Sequence, residues 1–374
     1  MKLSATVMFL CVCGLLALGL VILYSLGMAK EGASYLARQT LWCGVGMVVC
    51  LGVSAIDYRH LKKVSMLMYV AALVLLAMVL VWGVGLTSNG ARRWLRYGSV
   101  GFQPSEFAKI TLIIVLAHYG EHFQRQMGSF RRGVLPASAV IGSMLALIFL
   151  EPDRGTTVFL GGISLIMLVL AGVRWLVIIL PASLGAAGLG FLLWRDPLII
   201  SRVTKGWWNM ELHKTGPAYQ SWQGLIAFGA GGPTGLGLGD GRQKMGFIPE
   251  LQTDFILPVV GEELGLVATA AVVITFLVFV ICGFRIARHA PDLFGFLLAS
   301  GLTCLIGMQA WINIAVVTSI LPNKGLSLPF VSYGGSNLVM MLFAVGLLLS
   351  IARRSAEEPS LVTGFGDAVE ELPA

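Results

Sequence analysis

The sequence predicts an all-α, polytopic membrane protein with about ten transmembrane helices and one large extracytoplasmic loop between the seventh and eighth. Three observations predict it. Hydrophobic residues make up 57% of the chain and charged residues only 12%, which is about half the charge of a soluble domain. The apolar residues gather in long runs, and a run of about 20 can cross a bilayer. The polar residues gather between those runs, in segments rich in Gly, Pro, Arg and Glu.

In chain order the runs are 4–27, 36–57, 64–86, 104–119, 134–150, 155–173, 175–194, 254–283, 293–320 and 336–352. The first follows Lys2, and Gly27-Met28-Ala29 has the small residues of a cleavage site. The run is too long for a signal-peptide core and more spans follow, so it reads as a retained helix. The fourth opens on Pro104, which suits a first helical turn, with Ser105 and Glu106 where the helix dipole favours them. Residues 195–253 form the large outer loop. Within it, 229–241 is Gly-rich without dinucleotide or Walker spacing, and reads as a flexible loop that shapes an opening. Residues 1–352 form one membrane domain, and 353–374 a short, acidic, disordered cytoplasmic tail. The cysteines at 11, 13, 43, 50, 282 and 304 all lie in apolar runs and read as small buried hydrophobes.

An even number of spans puts both termini on one side. Long segments translocate with little regard to charge, so loop 195–253 is set aside. The remaining Lys and Arg then favour the side holding the termini, which is the cytoplasm. Cations also remain outside, and an anionic substrate accounts for them. The polar or broken segments all fall on that outer face. They are 89–109, Glu151-Pro152-Asp153-Arg154-Gly155-Thr156, 219–254 and 321–336. Irregular backbone near a membrane must be buried in protein or line a wet cavity. An outward-facing cavity is therefore expected.

Asp254 stands at the mouth of a long apolar run, where a carboxylate is costly and therefore a functional candidate. The competing reading is a helix N-cap with Thr253. Pro258, Gly261, Glu262 and Gly265 share a helical face with Asp254 and form a stripe suited to a cavity wall. Pro258 also frees a backbone carbonyl. Glu262 and Glu263 are either buried and protonated or paired with cations. Glu106 and Lys109 share a face, as a structural ion pair or as part of a site. Arg92, Arg93 and Trp94 read as an interfacial anchor or as a clamp for a diphosphate. His118-Tyr119-Gly120-Glu121-His122 fits a zinc pattern but lacks a third ligand, and reads as a chance match.

Several motifs, in order, resemble the SEDS family (shape, elongation, division and sporulation). They are Gly90-Ala91-Arg92-Arg93-Trp94, Gln103-Pro104-Ser105-Glu106-Phe107-Ala108-Lys109, and Glu151-Pro152-Asp153 with Gly155-Thr156. Further along come Pro249-Glu250 with Thr253-Asp254-Phe255-Ile256, Gly261-Glu262-Glu263-Leu264-Gly265, and Leu321-Pro322-Asn323-Lys324-Gly325 with 328–336. The run from Asn323 to Phe330 and Gly-Glu-Glu-Leu-Gly look closer to the division branch, FtsW, than to the elongation branch, RodA.

The resemblance implies a peptidoglycan glycosyltransferase of the bacterial plasma (inner) membrane, acting on lipid II at its outer face. It implies a class B penicillin-binding protein as partner, with other division membrane proteins at the septum, and no nucleic acid. Asp254 matches the family's catalytic aspartate, and Arg93, Lys109 and Lys324 match basic positions the family needs. The expected substrate-binding residues are Arg93, Trp94, Gln103, Ser105, Glu106, Lys109, Asp153, Arg242, Lys244, Lys324 and Ser332. No resident metal is expected, and a divalent cation, Mg2+ or Mn2+, is left open as an aid to diphosphate release. Gln252, Arg154 and Pro258 depart from the family's pattern. A lipid II flippase and a non-catalytic division scaffold are the alternative functions.

Overall fold

The computed structural model describes residues 1–30, 34–81, 85–88, 91–97, 100–249 and 251–357. Each predicted run forms a helix: α1 (Lys2–Lys30), α2 (Ser34–Ala55), α3 (Leu61–Leu80), α4 (Pro104–His122), α5 (Leu135–Leu150), α6 (Arg154–Leu170) and α7 (Trp175–Trp194). Two helices within the large loop follow, α8 (Pro197–Val203) and α9 (Tyr219–Gly231), and then α10 (Ile256–Arg288), α11 (Leu293–Val317) and α12 (Gly335–Glu357). Seven of the described helices are long and apolar enough to cross a membrane. The chain is an all-α, multi-pass membrane protein.

The helices differ from expectation where tertiary contacts intervene. α3 stops at Leu80, and a three-stranded antiparallel sheet follows: β1 (Gly85–Ser88), β2 (Ala91–Tyr97) and β3 (Val100–Phe102). Its short strands pair Gly85 with Leu95 and Leu95 with Phe102. α12 continues through Arg353 and Arg354 to Glu357, into the segment expected to be tail. Arg354 pairs there with Asp57 at 2.9 Å, and its helical continuation is held by that contact. Residues 358–374, Asn89, Gly90 and Glu250 lie outside the described residues, as does the side chain of Arg92.

α11 and α12 are mostly buried, while α2 and α3 expose rows of Leu, Val and Met. That contrast follows from position, because an outer helix faces lipid and keeps apolar residues all round. α1 touches cavity-end residues with its second half: Gly19 lies against Val331, and Ser25 bonds Glu263. Its first residues are therefore at the opposite end, beside the end of α12. At that end Arg59 pairs with Asp292 and Lys62 with Glu121, each at 2.7 Å. Glu121 belongs to the zinc-like pattern, so an ion pair accounts for it.

α10 breaks at Gly265, where φ is 77°. A left-handed backbone of this kind favours glycine. The loop after α9 restores the interrupted hydrogen bonds. Leu236 N–H donates to the Glu262 carbonyl at 2.9 Å, Gly237 N–H to the Glu263 carbonyl at 3.0 Å, and Leu266 N–H to the Gly232 carbonyl at 2.9 Å. The Gly-rich segment is thus a main-chain splint on a broken helix. This overturns the expected cavity-wall stripe: Gly261 packs on Phe228 and Gly265 on Gly235.

Candidate active site

α4 begins as its sequence demands, with Pro104 in the first turn and Glu106 beside it. Lys109, one turn on, is only 1% exposed. Its ammonium lies 2.8 Å from Glu106 Oε2 and donates to Gln309 Oε1 at 3.1 Å. Glu106 also accepts from Asn337 Nδ2 at 2.8 Å. The pair is therefore locked to α11 by one amide and to α12 by another. A buried ion pair needs such extra partners to offset its desolvation.

Arg93 projects from β2 onto the turn between α5 and α6. Its guanidinium donates to the main-chain carbonyls of Pro152 and Glu151 and sits 3.9 Å from Asp153 Oδ1. Asp153 caps α6 by accepting from Thr156 N–H at 3.2 Å. Arg154 turns away to pair with Asp196, so this departure from the family pattern leaves Asp153 in place. Glu151 is fully buried, and neither of its carboxyl oxygens has a hydrogen-bond partner. Burial, reinforced by Asp153 and opposed by Arg93, pushes its pKa up to about 8.

Asp254 is half-buried and lies just before α10, whose N-cap is Phe255 rather than Asp254. Gly325 lies beside its carboxylate: a Cβ added there would be 2.8 Å from Asp254 Oδ2. Asn313 Nδ2 donates to the Asp254 carbonyl at 2.8 Å and to the Leu326 carbonyl at 2.6 Å. The loop before α12 is tied to the same segment, since Tyr333 N–H donates to the Gln252 carbonyl at 2.9 Å.

These elements enclose a cavity of about 350 Å³ at one end of the bundle. Asp254, Arg93, Trp94, Gln103, Glu106, Lys109 and Asp153 all line it, as expected from the sequence. The other expected residues do not. Ser105 is buried behind the wall and receives a bond from Gln103 Nε2 at 3.0 Å. Ser332 accepts from Leu328 N–H at 2.8 Å, which shapes its own loop. Lys324 precedes Gly325 but is absent from the lining, and burial lowers its ammonium pKa. Arg242 is exposed and offers its main-chain N–H to Glu262 at 2.9 Å. Lys244 is buried against Glu263 at 3.0 Å and Ser25 at 3.2 Å. The two glutamates therefore anchor the Gly-rich loop, Glu262 through main-chain N–H groups and Glu263 through a cation.

Sequence reasoning missed Arg38, Trp42, Gln309, Tyr333 and Asn337 as lining residues. One signal was available. Gln309 and Asn313 are four residues apart in an apolar helix, and uncharged amides inside a span must find partners. Among the described residues, no group of three His, Cys, Asp or Glu could hold a metal ion.

The chain matches the FtsW/RodA/SpoVE family, described as cell cycle proteins, over residues 3–357. It is 38% identical to stage V sporulation protein E of Bacillus subtilis (strain 168), covering 91% of this chain and 94% of that protein. It is 39% identical to a probable peptidoglycan glycosyltransferase FtsW of Geobacter metallireducens, covering 88% of each. Among solved structures, a chain of a peptidoglycan synthase complex that coordinates polymerization and crosslinking superposes with a TM-score of 0.79 at 27% identity, over 94% of this chain and 98% of that one. The Thermus thermophilus rod shape determining protein RodA gives 0.67 at 26% identity, over 93% and 96%.

Proposed function

The chain belongs to the FtsW/RodA/SpoVE family, and on that premise we propose that it is a peptidoglycan glycosyltransferase polymerising lipid II at the outer face of a bacterial plasma membrane. The observation that carries this reading is the placement of one carboxylate, Asp254, in the same cavity as Arg93 and Lys109. Relatives named as probable peptidoglycan glycosyltransferases support the activity. Both termini are then cytoplasmic, and the FtsW names support a place at the division septum.

The reaction follows from the groups available. Lipid II carries its sugar on a diphosphate, which leaves without prior protonation. Asp254 takes the proton from a sugar hydroxyl of the acceptor. The oxygen so released forms the new bond to the anomeric carbon of the donor from the opposite face, and the bond to the diphosphate breaks with its electron pair. Configuration inverts in this single displacement. The second carboxylate that protonates a poor leaving group in glycoside hydrolysis is not needed. Positive side chains in the cavity stabilise the departing diphosphate. The described carboxylates do not gather into a metal-holding set, so Mg2+ or Mn2+ would enter on the substrate's diphosphate.

A class B penicillin-binding protein is the proposed partner, supported by the superposition on a synthase complex that also crosslinks. The polymerase reading is favoured over a flippase because ion pairs tie the helices together at the end opposite the cavity. A flippase must open there. The test is Asp254→Asn, purified with the penicillin-binding protein in detergent, where flipping has no meaning. It should insert normally and lose polymerisation by about a hundredfold or more. Wild-type polymerisation by this variant refutes the reading, and retained division in cells carrying it supports a scaffold instead.

A further inference from the structure

We propose that Arg125, Arg131, Arg132 and Arg174 form a surface that binds the phosphate groups of anionic phospholipids, in the leaflet at the end of the bundle opposite the cavity. The surface is independent of the glycosyltransferase reading.

Three of the four arginines come from the connection between α4 and α5, and the fourth from the turn between α6 and α7. α4 runs away from the cavity, from Pro104 to His122, and α6 does so from Arg154 to Leu170. Both connections therefore lie at the far end, where Lys62 pairs with Glu121. The α4–α5 connection is a folded platform. Two single turns, Gln124–Gln126 and Phe130–Val134, close on each other. Gly133 packs so tightly on the Gln126 carbonyl that an added Cβ would clash with it. Tyr119 Oη donates to the Gly133 carbonyl at 2.8 Å. Met127 and Val134 are buried together with Leu168 of α6 and Val173 of the turn after it. Arg125 adjoins Gln126, Arg132 adjoins Gly133 and Arg174 adjoins Val173. Packing of the uncharged neighbours thus gathers the cations at one corner.

All four arginines are exposed, and none pairs with a carboxylate among the described residues. Elsewhere at this end Arg59, Lys62 and Arg354 each meet one: Asp292, Glu121 and Asp57. Orienting a chain in a membrane requires cations on one side, but not their collection on one folded element. Like charges held together repel, and a bound anion relieves that cost.

Depth selects a lipid as that anion. Phe130 opens the membrane span Phe130–Leu150, so Arg131 and Arg132 lie in its first turn, at the level of headgroups. Phe130, Leu135 and Leu176 beside them are 42%, 51% and 64% exposed. Acyl chains cover such a flank, whereas a soluble acidic partner would leave it bare. Guanidinium groups match phosphate oxygens two at a time.

The test measures binding of labelled phosphatidylglycerol to the full-length protein in neutral detergent, with phosphatidylcholine, inorganic phosphate and poly-glutamate as competitors. Phosphatidylglycerol should bind more tightly than phosphatidylcholine, and added salt should weaken it. Arg125→Gln, Arg131→Gln, Arg132→Gln and Arg174→Gln together should weaken it by about tenfold or more, since each cation near an anionic surface is worth roughly fivefold. Arg131→Gln with Arg132→Gln alone should weaken it by about threefold or more, and this pair decides the matter if the fourfold variant fails to insert. The same four arginines changed to Lys should keep most of the affinity. Lys2→Gln, Lys63→Gln, Arg285→Gln and Arg288→Gln together remove as much charge from exposed positions at the same end, and should bind as wild type. Unaltered binding by the arginine variants, an equal loss in this control, or equal affinity for phosphatidylcholine overturns the proposal. Displacement by inorganic phosphate would assign the surface to a free anion, and displacement by poly-glutamate to an acidic protein; either result overturns it as well.

Discussion

Asn313 and Asp254, on opposite sides of the α10–α11 contact, are joined by a hydrogen bond to the Asp254 main-chain carbonyl. Asp254 precedes the N-cap Phe255, so its carbonyl lies outside the hydrogen-bond ladder of α10 and is satisfied from another element. Asn313 Nδ2 reaches across from α11 and donates to that carbonyl at 2.8 Å. The carbonyl so held is the one carried by the proposed base. Asn313→Ala should leave this carbonyl and that of Leu326 without their donor. Turnover should fall by up to about a hundredfold, the cost of misplacing a reacting group, with a smaller change in lipid II affinity. Steady-state polymerisation kinetics separate the two effects, and equal falls in both would argue against a positioning role.

The Lys109–Glu106 pair should behave as a unit. Lys109→Met leaves a buried carboxylate with Asn337 but no cation, and should destabilise the protein by about 3–5 kcal/mol. Adding Glu106→Gln should restore much of that stability without restoring polymerisation. Thermal unfolding in detergent, beside activity, checks this. A double variant no more stable than the single one would contradict it.

Lys244 should matter for stability and not for chemistry. Its ammonium is 3.0 Å from Glu263 and lies away from the cavity. Lys244→Met should lower the unfolding temperature, and Glu263→Gln in addition should raise it again, because the stranded buried charge is removed. Activity per folded molecule should stay near the wild-type value. A loss of turnover in a well-folded Lys244→Met protein would return Lys244 to the site.

Glu151 should make stability fall as pH rises. Its pKa moves from an ordinary 4.5 up to about 8 in the folded chain. Between those values the folded state keeps a proton that the unfolded state releases. The carboxyl's contribution is therefore fully present below pH 4.5 and is lost as pH climbs through about 8. Glu151→Gln should flatten the stability profile over this window and be the more stable protein at its alkaline end. Unfolding measured across the window in both proteins decides it, and parallel profiles would rule it out.

The sequence by itself determined what depends on neighbours along the chain. Hydropathy located the spans, because a helix in lipid needs only its own apolar residues and internal hydrogen bonds. Pro104 marked the start of α4, and Asp254 stood out as a carboxylate entering an apolar run. Glu106 and Lys109 were legible as a pair because three residues of helix place them together. Only the tertiary structure decided which groups meet across the bundle. Lys244 looked as available as Lys109, yet it closes on Glu263 behind the Gly-rich loop. Gln309, Asn313, Asn337 and Arg38 entered no reading of the site from the sequence, yet the first, third and fourth line the cavity and Asn313 holds the Asp254 carbonyl. Their partners lie on other helices, and no local spacing encodes such a meeting. Packing brings those groups together, and the cost of leaving a polar group unpaired in a membrane protein determines which of them remain free for substrate.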